Sequence, residues 1–252
     1  MPAIIEKIHY YPVKGLSAQE LPAVDLIPGE GLPQDRRFAI THGATTFSSE
    51  APEWKPKTNF ITLMRNERLA TLQTDYDPET TALTIRRGPR VVARGQIDTP
   101  TGRVLIEQFL SAYLKGEAPG TPRVVEAPGH AFFDAKDKYI SLINMASVQD
   151  LERVVQSPVN PVRFRGNFLF SGEAPWVEFG WIDRFLTIGA MRCEVVKRID
   201  RCPATNVDPL TGARDLNIPR ALQRGYGHID FGVYARVVTS GRVTVGDALV
   251  VE

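Results

Sequence analysis

The sequence predicts a β-rich α+β fold, and three observations carry that expectation. The first hundred residues break into short strand-like segments separated by turn residues, the spacing of a barrel or sandwich-like sheet. Only two stretches repeat apolar residues at convincing helical spacing. There is no GxGxxG or Walker-type loop and no regular strand–helix–strand alternation, which argues against a doubly wound nucleotide-binding fold.

In chain order, Ala3 to Tyr10 reads as a strand with Ile4, Ile8 and Tyr10 on one face, ended by Pro12-Val13-Lys14-Gly15. Ala23 to Ile27, Arg37 to Thr41, Phe60 to Leu63 and Leu69 to Thr74 are further strands. Asp77-Pro78-Glu79-Thr80 is a turn across which Ala82 to Arg86 pairs as a hairpin. Thr101 to Leu114 is the first helix, with Leu105, Phe109 and Tyr113 recurring every four residues. Gly116 to Pro122 marks the boundary between two halves, 1–115 and 116–252. A second helix spans Met145 to Gln156, capped by Asn144 or by Ser147 with Asp150. Strands follow at Asn167 to Phe170, Phe185 to Ile188, Arg192 to Ile199, Gly232 to Thr239 and Arg242 to Val251.

Composition narrows the function. At 252 residues and 43% hydrophobic, the chain can build one large domain or two interlocked ones. Thirty Lys and Arg against 29 Asp and Glu give no global reason to expect nucleic acid or an anionic membrane as partner, although local basic clusters could bind a small anion. The start lacks a basic leader segment, and Glu6, Lys7 and His9 break its apolar run. No stretch approaches the roughly 18 apolar residues of a membrane span. A cytoplasmic protein is expected. Two cysteines fit a reducing compartment and cannot supply the four or so ligands of an iron–sulfur cluster, so electrons for any redox chemistry must come from elsewhere.

The two cysteines read differently. Cys193 alternates with Met191 and Val195 on a strand face, as a small buried hydrophobe would. Cys202 follows that strand in Lys197-Arg198-Ile199-Asp200-Arg201-Cys202-Pro203, among cations that favour a thiolate. Three readings stay open for it: structural thiol, nucleophile or metal ligand. A nucleophile needs a base, and of the four histidines only His228 stands in a Gly-flanked polar loop. An ordinary zinc site needs three or four Cys and His ligands at close spacing, which are absent. A lone thiolate ligand makes sense if a cofactor brings the remaining ligands, as a pterin dithiolene does for molybdenum. Such a cofactor carries a phosphate and needs cations and N–H donors. Lys14-Gly15, Gln34-Asp35-Arg36-Arg37, the helix start at Asn144 and Ser147, and Arg163-Phe164-Arg165-Gly166-Asn167 offer them.

The run Arg201-Cys202-Pro203-Ala204-Thr205-Asn206-Val207-Asp208-Pro209 resembles the cysteine motif of MOSC-domain proteins, most closely the mitochondrial amidoxime-reducing component and its bacterial relatives. Phe231-Gly232-Val233-Tyr234 and Gly241 to Asp247 look like that family's closing strands, and Tyr11 to Gly15 with Asp35 to Phe38 resemble its N-terminal β-barrel domain. The resemblance covers essentially the whole chain. It implies an N-terminal β-barrel-like domain packed on a mixed MOSC domain with a β-barrel core. It further implies molybdenum cofactor, reduction of N-hydroxylated small molecules, and a separate electron-donor protein of ferredoxin or flavin/haem reductase type. Cys202 would be the metal's thiolate ligand, with Asp208 shaping the substrate side. Lys14, Gly15, Arg36, Asn144, Ser147, Arg165, Asn167, Asp200 and Tyr234 would contact the cofactor. Gly15 and Asp200 stand where relatives can have Ser, and a carboxylate at 200 repels an anionic cofactor unless Arg198 or Arg201 pairs with it. The alternatives are a sulfur carrier with a persulfide on Cys202, and a non-catalytic anion-binding module.

Overall fold

Alternating apolar residues over Ala3–Tyr10 form β1 in the computed structural model, which describes residues 2–252. A register shift between Ile5 and Lys7 changes the inward set, so Ile5 and Ile8 are buried while Ile4 is 36% exposed. The expected Ile4–Ile8–Tyr10 face is therefore broken by a bulge.

The chain continues through β2 (Gln19–Leu21), β3 (Ala23–Leu26), β4 (Phe38–Thr41), β5 (Gln73–Asp77), β6 (Ala82–Arg87) and β7 (Arg90–Gln96). Helix α1 (Pro100–Tyr113) follows, then β8 (Arg123–Glu126), β9 (Ile140–Asn144), α2 (Met145–Val155) and β10 (Phe168–Ser171). The last part holds β11 (Phe185–Ile188), β12 (Met191–Asp200), α3 (Ile218–Tyr226), β13 (Asp230–Thr239), β14 (Gly241–Thr244) and β15 (Ala248–Val251).

Seven strands close a barrel in the order β10-β9-β13-β12-β11-β15-β1, with β1 returning to β10 and β2 appended to β1. Among the described residues of this barrel, only the β9–β10 pair is parallel. Inside lie Ile5, Ile8, Ile140, Leu142, Phe168, Phe170, Met191, Val195, Val233 and Ala235. Cys193 packs among them as a free thiol, and burial pushes it up to about 12, so it is inert at neutral pH. A second apolar cluster joins α2 and α3 to the barrel wall through Leu151, Phe164, Leu222 and Phe231.

The two halves of the chain are interlocked. β1 is a stave of a barrel otherwise built from residues beyond 139, and β3 pairs with β14. β4 likewise pairs with β8, and β5-β6-β7 form a separate three-stranded sheet.

Local chemistry explains the helix ends. Thr99 accepts from the Gly102 N–H and Pro100 opens α1. Asn144 accepts from the Ala146 N–H at α2, while Asn217 and Gly227 bracket α3. Three expected strands change. Phe60 makes only a single bridge with Thr41. Glu67–Thr71 is a 3-10 turn that delays β5 to Gln73. Arg242 to Val251 is cut in two at Gly246, where φ is +96°. Among the described residues, no helix is long and apolar enough to cross a membrane.

Because β1 and β3 tie the halves together, urea should unfold the chain in one transition, coincident by near- and far-UV circular dichroism. Ile8→Ala, at a fully buried stave position, should cost about 2–5 kcal/mol. Two separated transitions, with Ile8→Ala shifting only one, would contradict the shared barrel.

Candidate cofactor site

β12 ends at Asp200, and the chain turns into a 3-10 segment, Pro203–Asn206, with Cys202 at its N-cap. The Cys202 carbonyl accepts from the Thr205 N–H at 3.1 Å and the Thr205 hydroxyl at 2.9 Å, which fixes the half-buried thiol at the turn. Arg201 anchors the approach. Its Nη1 donates to the Phe164 carbonyl at 2.8 Å and its Nε to the Phe231 carbonyl at 2.9 Å, and those two rings stack 3.8 Å apart.

The thiol opens onto a cavity of about 240 Å³. Seven cationic side chains line it (Lys14, Arg36, Lys57, Arg163, Arg165, Lys197 and Arg201) against two carboxylates, Asp134 and Asp200. Lys14 arrives from the loop after β1, donating to Asp134 at 2.5 Å and to the Phe132 carbonyl at 2.8 Å. Buried Asp35 accepts from the Tyr11 N–H at 2.7 Å and the Asn167 amide at 3.0 Å, and it pairs with Arg36. Arg36 donates in turn to the Arg165 carbonyl at 2.9 Å. Both guanidiniums approach the Tyr11 ring, at 4.3 and 4.2 Å from its centroid.

Arg36 and Arg165 hold φ values of +52° and +51°, a left-handed conformation that costs a non-glycine residue about 1 kcal/mol or more. Arg165 Nη1 donates to the Leu16 carbonyl at 2.8 Å, while its buried Nη2 has no partner among the described residues. Burial pushes Arg165 down to about 10, with Tyr11 opposing the shift and Arg36 adding to it, and burial also pushes Arg201 down to about 10. Both stay charged at neutral pH, so the fold carries the cost of two desolvated cations whose acceptors are backbone carbonyls. An anion in the cavity would offset it.

The sequence-derived residues divide. Lys14, Arg36, Arg165, Asn167, Asp200, Cys202 and Tyr234 line this one cavity. Asn167 spends its amide on its neighbours, accepting from Ser141 N–H and hydroxyl at 3.1 and 2.8 Å and donating to Asp35 and His9. Its role is to join β10 to the Asp35–Arg36 turn.

Gly15 lies in a neighbouring pocket with Leu16 and Leu72, its φ at +89°, and a Cβ there would sit 2.7 Å from the Ile61 carbonyl oxygen. Asn144 and Ser147 are fully buried away from the cavity. Their side chains donate to Glu178 at 2.9 and 2.8 Å, so the anion they receive is the chain's own carboxylate. Asp208 also lies off the cavity wall. Its Oδ1 accepts from the Leu210 and Thr211 N–H groups, and its Oδ2 pairs with Arg163 at 3.1 Å. It braces the loop after Cys202.

Sequence reasoning passed over Lys57, Asp134, Lys197 and Arg201 as site residues. Arg201 and Lys197 stand in the same run as Cys202, so proximity was their available signal. Among the described residues, no group of three or more His, Cys, Asp or Glu side chains could hold a metal ion. A metal beside Cys202 would have to bring its other ligands with it. One thiol, an excess of cations and an unpartnered guanidinium nitrogen suit an anionic, metal-bearing cofactor.

The MOSC N-terminal beta barrel domain matches residues 2–118, and the MOSC domain matches residues 129–250. The chain belongs to the MOSC-domain family, whose members are molybdenum-cofactor related. It is 28% identical to a molybdenum cofactor sulfurase of Caenorhabditis elegans over 236 residues, 90% of this chain and 32% of that one. It is 33% identical to mitochondrial amidoxime reducing component 2 of Rattus norvegicus over 120 residues, 43% of this chain and 35% of that one. The chain thus spans about a third of the length of the curated relatives it matches. The crystal structure of the YUAD protein from Bacillus subtilis aligns over 100% of this chain and 96% of that one, at 12% identity and a TM-score of 0.47.

The charge imbalance of this MOSC cavity sets an expectation for the cofactor-free protein. Pyrophosphate at 100 times its Kd should stabilise it by about 2.7 kcal/mol, a rise in Tm of roughly 5–10 °C. Arg165→Met should lose most of that rise in a thermal melt. An equal rise in wild type and variant would mean that the anion binds elsewhere.

Proposed function

We propose that the chain binds molybdenum cofactor in this cavity and reduces N-hydroxylated small molecules with electrons from a separate donor protein. The observation that carries the reading is convergence: Cys202, from the end of β12, opens onto the same cavity as Lys14 and Arg36 from the first forty residues.

The chain's own parts have distinct tasks. Cys202 offers the one protein sulfur. Arg165 and Lys14, which line the cavity, would receive the phosphate end of the cofactor. Arg201 holds the strand end that presents Cys202. Tyr139 and Tyr234, with ring centroids 5.5 Å apart, form an aromatic wall that excludes water from one side. When bound, the cofactor supplies the two-electron redox chemistry. Overall, the substrate takes up two electrons and two protons, its N–O bond breaks, and the oxygen leaves as water while the donor is oxidised.

One observation favours a second reading. The similarity to the molybdenum cofactor sulfurase runs over 90% of this chain, against 43% for the amidoxime reducing component. In that reading Cys202 carries a persulfide sulfur for transfer.

Both readings use the cavity, and one experiment separates them. Protein loaded with cofactor should oxidise reduced benzyl viologen when benzamidoxime is added, and Cys202→Ala should not. If loaded wild type leaves the viologen reduced and mass spectrometry finds one extra sulfur atom on Cys202, the reductase reading gives way to the sulfur carrier.

A further inference from the structure

The cavity wall carries two carboxylates, and they are not equivalent. Asp134 is taken by Lys14 at 2.5 Å. Asp200 is solvent-exposed, and among the described residues it forms neither an ion pair nor a side-chain hydrogen bond. The pairing with Arg198 or Arg201 that would suit it to an anionic cofactor is not made. Arg198 lies over the Phe179 ring at 4.3 Å, and Arg201 is spent on the carbonyls of Phe164 and Phe231.

Asp200 also stands opposite Asp230 in the β12–β13 ladder, a like-charge register that neither strand gains from. It sits two residues before Cys202, at the end of the strand that delivers the thiol. A free carboxylate in that place accepts hydrogen bonds and repels anions and carbonyl oxygens. Its complement is a group with paired N–H donors and partial positive charge.

We propose that Asp200 is a specificity-determining residue of this site, receiving the amino N–H donors of N-hydroxylated amidines and guanidines. The inference rests on the reductase reading above and assigns to it the residue that selects among N-hydroxylated substrates. An N-hydroxyamidine presents an NH2 group on the carbon next to the N–OH nitrogen, and the carboxylate accepts from it. A hydroxamic acid presents a carbonyl oxygen at the same carbon and meets the carboxylate lone pair to lone pair. The site therefore discriminates by the atom beside the reacting nitrogen, a hydrogen-bonding difference that is worth more than a difference in apolar bulk.

Cofactor-loaded wild type, Asp200→Asn and Asp200→Ser are compared with reduced benzyl viologen as donor, benzamidoxime and benzhydroxamic acid as substrates, and molybdenum measured per chain. The wild-type ratio of kcat/KM for benzamidoxime over benzhydroxamic acid should fall about 10-fold or more in Asp200→Asn, through KM for benzamidoxime, at unchanged molybdenum content. An unchanged ratio overturns the inference, as does a loss of molybdenum in Asp200→Asn, which would make Asp200 a cofactor contact instead. If loaded wild type reduces neither compound, the reductase reading fails, and calorimetry on the same samples still decides for Asp200. Wild type should bind benzamidine more tightly than benzamide, and Asp200→Asn should lose that preference. Equal preference in the two proteins contradicts the role.

Discussion

The closure of the barrel by β1 is the constraint on which the rest depends. β1 pairs with β10 on one side and with β15 and β2 on the other, so Ala3–Tyr10 is locked into a wall made mainly by the last hundred or so residues. The loop that follows β1 then has one place to go. Tyr11, Lys14 and Leu16 run past the segment carrying Arg165, and the Tyr11 N–H meets Asp35. The cations from both halves converge because a strand from one half is a structural member of the other.

That convergence is expensive. Arg36 and Arg165 share the Tyr11 ring, Arg201 is fully engaged with carbonyls, and Lys14 is pushed down by burial although Asp134 opposes the shift. Two of these residues also adopt left-handed backbone conformations. A chain with net charge +1 has gathered seven cations around one half-buried thiol. Stability alone gives no reason for such a cluster, whereas the recognition of an anion beside a sulfur does.

Much of this was legible in the sequence. Strand alternation gave β1 and β12, although the bulge at Ile5–Lys7 is a tertiary effect that no period shows. The β9 run Ile140–Asn144 is buried throughout, so it has no alternation to detect. α3 buries only Ile218 and Leu222, too few for a periodic signal, though Asn217 and Gly227 mark its ends. At the site, Cys202 and its flanking cations stand in one run and could be read directly. Asn144 and Ser147 show the limit of local reading. They look like an anion-binding helix start, yet Glu178, more than thirty residues on, already fills it. Asp208 shows the same limit, since its partner Arg163 lies 45 residues upstream.

The cations begin a site that the sulfur at position 202 must complete. Molybdenum and pterin content, measured on wild type and Cys202→Ala purified side by side under molybdenum-replete conditions, test this most directly. Stoichiometric molybdenum in wild type and a marked loss in Cys202→Ala are the expected result. Equal molybdenum in the two proteins, or none in either, would contradict it.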